Sequence, residues 1–198
     1  LVTLRLLLAG MLFLPFLIQK KYISHFRSLF PGIIILAIIN NALPFTMFSY
    51  ASLGATSNML AILNGSTAFI TMLVAYFWLN ESISLKQVLG LIIGFTGILI
   101  LVNPFNASAT LISSMCALIG ASCYSISGNY IQKYHLNSNK FVLIGWSMLF
   151  GGLLMTPLAI FNLPDHLPST NAILALLWLG IVSTGLAYLG FIRLIERI

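Results

Sequence analysis

The residues Ile33-Ile34-Ile35-Leu36 decide the fold class, because they lie inside a run, 31–52, that carries no charged side chain. A transmembrane β-strand would show about ten residues of alternating polarity, whereas this stretch is continuously apolar. About 20 apolar residues in a helix cross the roughly 30 Å of bilayer hydrocarbon. A helix also bonds its backbone amides within its own segment, as lipid requires. The run therefore predicts a membrane-spanning α-helix.

Six further runs have a similar length and composition, so the chain contains seven candidate spans. Their predicted bounds are 2–18, 31–52, 57–79, 86–103, 110–131, 141–161 and 171–192. Hydrophobic residues make up 60% of the 198 residues and charged residues only 6%, against about 25% charged residues in a soluble domain. The sequence therefore predicts an all-α, polytopic transmembrane helix bundle.

Basic residues occur in alternate gaps between these spans. They are Lys20, Lys21 and Arg27 after the first span, Lys86 after the third, Lys133 and Lys140 after the fifth, and Arg193 and Arg197 after the seventh. The gaps around Gly54, Asn106 and Asp165 contain no Lys or Arg. By the positive-inside rule, the basic gaps are expected in the cytoplasm. This topology signal accounts for the net charge of +6, so no nucleic-acid partner is predicted.

An internal repeat links the two halves of the chain. The segment from Arg5 to Pro15 aligns with the segment from Ser147 to Pro157, an offset of 142 residues, and matches small residues, leucines and the proline. The span holding Pro15 enters the basic side, whereas the span holding Pro157 leaves it, so the two units would be inserted upside down relative to each other. Inverted repeats are typical of transporters with a central site near the bilayer midplane.

Several short motifs resemble the EamA-type transporters of the drug/metabolite transporter superfamily. They are Asn41-Ala-Leu-Pro-Phe45, Ala61-Ile-Leu-Asn-Gly-Ser-Thr-Ala-Phe69, Leu79-Asn-Glu81, Gly90-Leu-Ile-Ile-Gly-Phe-Thr-Gly97 and Ala117-Leu-Ile-Gly-Ala-Ser-Cys-Tyr124. The resemblance implies ten helices in two inverted five-helix repeats. On this basis residues 1–106 would hold spans two to five, and residues 107–198 would hold spans six to eight. The chain would then be a fragment without the first and the last two helices.

The resemblance implies a multi-pass transporter of a bacterial inner membrane. It would export or exchange small metabolites, amino acids or drug-like solutes by alternating access. Two alternatives stay open: a non-transporting membrane fragment or scaffold, and a sugar-nucleotide-type carrier of the same superfamily. The second would need several basic residues inside the spans for the phosphates, and only Arg5 is available. No enzyme is predicted, because the spans contain no HExxH, no GxSxG and no acidic pair.

Polar residues inside the spans are the candidates for a substrate pathway, because such groups are costly in lipid and usually face a cavity or a partner helix. They are Asn40, Asn41, Asn64, Thr67, Thr71, Tyr124, Trp146 and Arg5. Hydrogen bonds between helices are the alternative role for the amides and hydroxyls. Arg5 has the alternative of snorkelling to the membrane surface. Pro44 is expected to kink its helix, because its missing amide frees a carbonyl about four residues back.

Three glycines, Gly90, Gly94 and Gly97, form a small-residue face that predicts close helix packing, inside the repeat or in a homodimer. The two cysteines, Cys116 and Cys123, lie in one span and are expected to pack as apolar residues. No cofactor or metal site is predicted. The expected partners are the lipid bilayer and a small-molecule substrate.

Overall fold

The computed structural model describes residues 2–135, 138–161, 169–188 and 190, and these residues are nearly all helical. Seven helices follow one another: α1 (Val2–Leu17), α2 (Lys20–Leu36, Ala37–Ala42 and Leu43–Ala51 in one run), α3 (Ser57–Gly65, Thr67–Val74 and Ala75–Leu79), α4 (Leu85–Val102), α5 (Leu111–His135), α6 (Lys140–Ile160) and α7 (Thr170–Leu177 and Trp178–Leu186). A 3-10 turn, Pro104–Asn106, follows α4. The described residues contain no strand, and the predicted all-α transmembrane fold class is confirmed.

Helix α2 corrects one part of the sequence prediction, because the basic gap before residue 31 is not a loop. The helix begins at Lys20 and includes Arg27. Its part from Tyr22 to Ala51 has 30 residues, which is about 45 Å at 1.5 Å per residue and exceeds the roughly 30 Å of hydrocarbon. The basic first turns therefore extend beyond the hydrocarbon as a helix.

Five of the described helices are long and apolar enough to cross a membrane, and Val2–Leu17 and Thr170–Leu186 are shorter apolar helices. The predicted end of the seventh span at residue 192 lies outside the described residues. The same holds for Asp165, Arg193 and Arg197, so the charges of those two predicted gaps have no structural description.

The helix ends follow local sequence signals. Ser84 and Gln87 form a capping box at the start of α4, which satisfies two otherwise unpaired amides of the first turn. Asn80 and Asn103 adopt the left-handed conformation, with φ of 57° and 53°, directly after α3 and α4. Asparagine is one of the few residues that enters this region readily. These two positions therefore end their helices sharply.

The chain divides into two compact units. Unit 1 comprises Leu1–Ala42 and Asn137–Ile198, and unit 2 comprises Leu43–Leu136. In unit 1, α6 packs against α1 and against the first half of α2, and α1 also packs against α7. Phe13, Leu17, Ile144 and Met148 lie in the buried core between α1 and α6. These units are groups of packed helices, and the repeat bounds 1–106 and 107–198 stay a prediction.

Two glycines bring α1 and α6 close together. A Cβ atom on Gly10 would lie 2.6 Å from Cδ2 of Leu149, and one on Gly152 would lie 2.7 Å from Cδ2 of Leu7. Gly10 and Gly152 are equivalent at the repeat offset of 142 residues, and so are Leu7 and Leu149. The same glycine–leucine contact therefore occurs twice in this interface, once in each direction.

In unit 2, α5 packs against α3 and against the second half of α2, and α3 packs against α4. The loops after α2 and α4 are joined by an isolated β-bridge between Ala55 and Ala109. Helices α3 and α4 contain no buried residue, and Ile93 and Leu101 are among their exposed apolar side chains. Such a surface would aggregate in water and suits contact with lipid.

Candidate functional site

A π-helical segment, Ala37–Ala42, interrupts α2 and carries the two asparagines Asn40 and Asn41. Pro44 lies just after it and has no amide with which to continue the α-helical hydrogen-bond pattern. Local π-helical turns are rare and often occur at functional sites. The helix is thus irregular where the proline predicts a kink, and a hinge role for Pro44 stays a prediction.

Asn41 is fully buried in unit 1. Its Nδ2 donates hydrogen bonds to Oγ of Ser147 at 3.2 Å and to the carbonyl oxygen of Leu36 at 3.3 Å. Its Oδ1 is buried and has no hydrogen-bond partner in the part of the chain that the structure describes. An unsatisfied buried acceptor costs about 1–3 kcal/mol, so this oxygen would gain from a donor brought by another molecule.

Arg5 and Asn40 bond to helix α7 in the same unit. Nε of Arg5 donates to Oγ1 of Thr184 at 2.6 Å, and Nδ2 of Asn40 donates to the hydroxyl of Tyr188 at 3.1 Å. Arg5 is therefore bonded to a neighbouring helix, whereas snorkelling alone would direct its guanidinium to the membrane surface. The arrangement places a cation, an amide and a phenol on the polar side of α1, α2 and α7.

A second π-helical segment, Trp178–Leu186, contains Thr184. Oγ1 of Thr184 donates to the carbonyl oxygen of Leu179, five residues back, at 2.8 Å, and Asn41 donates to Leu36, also five residues back. Each of these polar side chains thus caps its own widened turn. Each also bonds to a residue of a first repeat helix, because Arg5 and Ser147 are equivalent at the offset of 142 residues. Unit 1 therefore contains two related polar contacts, each with a π-helical segment.

Trp146 lies beside these residues in the chain but packs differently. Its ring centroid is 4.8 Å from that of Phe26 and 6.3 Å from that of Phe150. Its Nε1 is buried without a hydrogen-bond partner among the described residues. Unit 1 therefore holds an unused donor as well as the unused acceptor of Asn41.

Thr67 and Thr71 belong to a separate polar cluster in unit 2, together with Ser125 and Asn129. Oγ1 of Thr71 donates to the carbonyl of Thr67 at 2.7 Å and to Oγ of Ser125 at 3.1 Å. Nδ2 of Asn129 donates to the carbonyls of Thr71 and Ser125 at 3.3 and 2.8 Å. Most of these bonds join α3 to α5. Oγ1 of Thr67 is buried without a partner among the described residues.

Two other candidates in unit 2 stand apart from this cluster. The ring of Tyr124 stacks on Phe48 at 6.1 Å and meets the edge of Phe45 at 6.3 Å. Asn64 is exposed on α3 and forms no hydrogen bond with a described residue. The predicted common face of Asn64, Thr67 and Thr71 is therefore wrong for Asn64 as far as shared contacts are concerned.

The three glycines of α4 have no close neighbour in the described part of the chain. A Cβ atom on Gly90, Gly94 or Gly97 would meet no heavy atom within 4 Å. Packing inside the repeat is therefore not observed at these positions. A contact with a second copy of the chain stays a prediction.

Sequence reasoning missed Ser125, which bonds both Thr67 and Thr71. It lies in a serine-rich stretch of α5 and carries no signal that separates it from its neighbours Ser122 and Ser127. Only the packing of α3 on α5 selects it. Groups of three or more His, Cys, Asp or Glu that could hold a metal ion are absent from the described residues.

Comparison with known families gives the identity of the chain. The model of the EamA-like transporter family matches residues 1–103 and again residues 111–198. The chain belongs to this family. It is a multi-pass membrane protein whose two family segments cover almost its whole length.

Relatives of this EamA-like chain carry transporter names. It is 25% identical over 98% of its length to an uncharacterized transporter of Archaeoglobus fulgidus, of which it covers 69%. It is 21% identical over 94% of its length to the uncharacterized transporter YoaV of Bacillus subtilis, of which it covers 66%. Protein PecM of Dickeya dadantii is 24% identical over 78% of the chain, which covers 53% of that protein. The chain thus spans about half to two thirds of the length of these relatives. No solved structure matches it.

Proposed function

We propose that this chain forms part of a carrier that moves small solutes across a bacterial inner membrane by alternating access. The two inverted repeats would be residues 1–106 and 107–198, with the basic loops in the cytoplasm. Family membership and the names of the relatives support transport. The observation that carries the mechanism is the pair of related polar contacts in unit 1, Arg5 with Thr184 and Asn41 with Ser147.

Each of these contacts joins the first helix of one repeat to the π-helical segment of the other. Arg5 lies on α1 and Thr184 on α7, whereas Ser147 lies on α6 and Asn41 on α2. Inverted repeats allow two mirror-related states in which equivalent contacts exchange their roles. One contact would therefore tighten while the other loosens as the carrier opens to opposite sides.

The chemistry of unit 1 suits a small polar solute. Oδ1 of Asn41 offers an acceptor and Nε1 of Trp146 a donor, both buried and unpaired among the described residues. Arg5 offers one positive charge, whereas a sugar nucleotide would need several for its phosphates. Small metabolites, amino acids and drug-like solutes therefore fit better. Export or exchange is the direction we propose.

Flux through vesicles tests the proposal. The reading frame that encodes the chain is expressed, and uptake of labelled amino acids, small metabolites and cationic drugs is measured in inverted membrane vesicles. We expect flux of at least one solute, reduced at least about tenfold by Asn41→Ala, since a lost hydrogen bond to a bound solute costs about 1.4 kcal/mol or more. Ser183→Ala, at an exposed position beside Thr184, should leave that flux unchanged.

Two results would contradict the proposal. Absence of flux for every solute, with normal membrane insertion, would favour the alternative of a non-transporting scaffold. Equal flux in the wild-type chain and in Asn41→Ala would remove the π-helical segment of α2 from the pathway.

A further inference from the structure

Unit 2 contains a cavity of about 380 Å³ between α3, α4, α5 and the loop that joins α3 to α4. Its outer part is lined by polar side chains, Glu81, Ser82, Gln87 and Gln132. Its inner part reaches Thr71 and Asn129 and is otherwise apolar, with Met72, Ala75 and Leu91 among its walls. The cavity is thus polar at its mouth and mainly apolar inside, which is the usual composition of a small-molecule site.

Glu81 supplies the only negative charge in the cavity lining. Its Oε1 accepts a hydrogen bond of 2.5 Å from Nε2 of Gln132. No cation among the described residues forms an ion pair with it. The nearby Lys133 instead donates from Nζ to the carbonyl oxygen of Trp78 at 2.9 Å and lies 5.2 Å from the Trp78 ring centroid. The carboxylate therefore faces the cavity with its charge uncompensated.

The other polar groups of the cavity also favour a donor-bearing ligand. Nδ2 of Asn129 is committed to two backbone carbonyls, which leaves its Oδ1 as an acceptor without a partner among the described residues. Oγ1 of Thr71 already donates to the carbonyl of Thr67. The ring of Tyr76 lines the same cavity, and aromatic faces attract organic cations. No Lys or Arg lines the cavity.

We infer that this cavity binds a protonated primary amine attached to a small apolar body. The ammonium group bonds to Glu81 at the mouth, where the carboxylate and the Tyr76 ring both favour a positive charge. The apolar body lies against Met72 and Leu91. The site lies wholly within unit 2 and does not depend on the transport activity proposed above. Its ligand is a soluble amine or the amine headgroup of a lipid, which share this chemistry.

Binding to the purified chain in detergent micelles tests the inference. The probe is phenethylamine, which is protonated at pH 7 because alkylamines titrate near pH 10. 2-Phenylethanol is its neutral analogue. We expect calorimetric binding of the amine, at least about tenfold weaker binding of the alcohol, and a similar loss for the amine in Glu81→Gln. Glu81→Gln keeps an acceptor for Gln132, and an unchanged melting temperature shows that the variant is folded.

Two matched controls separate the charge and the space of the cavity from general effects. Lys86→Gln changes one charge beside the cavity on a residue that does not line it, and it should alter the affinity by less than about twofold. Gly90→Leu places a side chain into the cavity and should abolish binding, whereas Gly97→Leu lies on the same helix outside the cavity and should not. Equal affinity of the amine for the wild-type chain and Glu81→Gln, or equal binding of amine and alcohol, would overturn the inference.

A second arm distinguishes the two sources of the amine. The chain is placed in nanodiscs of phosphatidylcholine with or without phosphatidylethanolamine, and phenethylamine binding is measured again. Weaker binding with phosphatidylethanolamine identifies the lipid headgroup as the occupant in the membrane. Unchanged binding identifies a soluble amine, and both results support an amine site.

Discussion

Nε of Arg5 donates a hydrogen bond of 2.6 Å to the hydroxyl of Thr184. Thr184 is buried, and its hydroxyl passes its own proton to the carbonyl oxygen of Leu179. The guanidinium is thereby connected to the widened turn of α7. A charge inside a membrane helix is costly unless it has such partners, so this short chain of hydrogen bonds stabilises Arg5 where it lies.

The Arg5–Thr184 contact should be measurable as stability. Thr184→Val removes the acceptor for a charged donor, and we expect the free energy of unfolding in detergent micelles to fall by about 1–3 kcal/mol. Ser183→Ala changes an exposed neighbour and should stay within about 0.5 kcal/mol of the wild-type value. Equal stability of the two variants would show that the contact contributes little.

The paired glycine–leucine contacts predict a symmetric response to added methyl groups. Gly10→Ala and Gly152→Ala each place a Cβ atom less than 3 Å from a leucine side chain, and overpacking of this kind costs about 1–3 kcal/mol. Both variants should therefore show a lower melting temperature. Gly128→Ala is the control, because its Cβ would meet nothing within 4 Å, and it should be neutral or stabilising by up to about 1 kcal/mol. A loss in only one of the two variants would contradict the equivalence of the contacts.

The polar cluster of unit 2 should depend on Asn129. Asn129→Ala removes two buried hydrogen bonds to the carbonyls of Thr71 and Ser125, and we expect the free energy of unfolding to fall by about 1–3 kcal/mol. Ser122→Ala on the same helix loses only a bond to the carbonyl of Leu118 within that helix. It should change stability by no more than about 0.5 kcal/mol. Matching losses in the two variants would mean that the bonds from α5 to α3 have no special weight.

The proposed orientation predicts which loops react from outside the cell. Both native cysteines are first replaced, in Cys116→Ala and Cys123→Ala, and single cysteines are then introduced as Ser82→Cys and Asn106→Cys. A membrane-impermeant maleimide applied to intact cells should label Asn106→Cys and should label Ser82→Cys only after permeabilisation, because Ser82 lies next to the basic gap. The reverse labelling pattern would invert the topology.

The spans could be predicted from sequence because lipid dictates their composition and length. Helices α3, α4 and α6 agree with the predicted runs to within a few residues. The start of α2 at Lys20 was missed, since its first turns carry Lys and Arg and no longer follow the hydrocarbon rule. Pro44 indicated the irregular segment in α2, whereas no proline lies in or directly after Trp178–Leu186, so the second π-helical segment had no signal.

The candidate site could be predicted only in part. An intramembrane asparagine or arginine is conspicuous by its cost, so Asn41 and Arg5 were found from residue type alone. Their partners Ser147 and Thr184 are ordinary hydroxyl residues in apolar helices, and only the packing of unit 1 distinguishes them. The cavity at Glu81 is likewise formed by residues of three helices and one loop that are distant in sequence.

The bridge between Ala55 and Ala109 constrains how the protein is assembled. The amide of Thr56 bonds to the carbonyl of Ser108, and the amide of Thr110 bonds to the carbonyl of Gly54, both at 2.9 Å. The loop after α2 and the loop after α4 therefore meet at one end of unit 2, and the hairpin of α3 and α4 closes into a ring of chain. During synthesis, the bridge can form only after both loops have reached the same side of the membrane. Membrane insertion of α3 and α4 as a pair must thus precede this step, which makes the bridge a late marker of correct biogenesis.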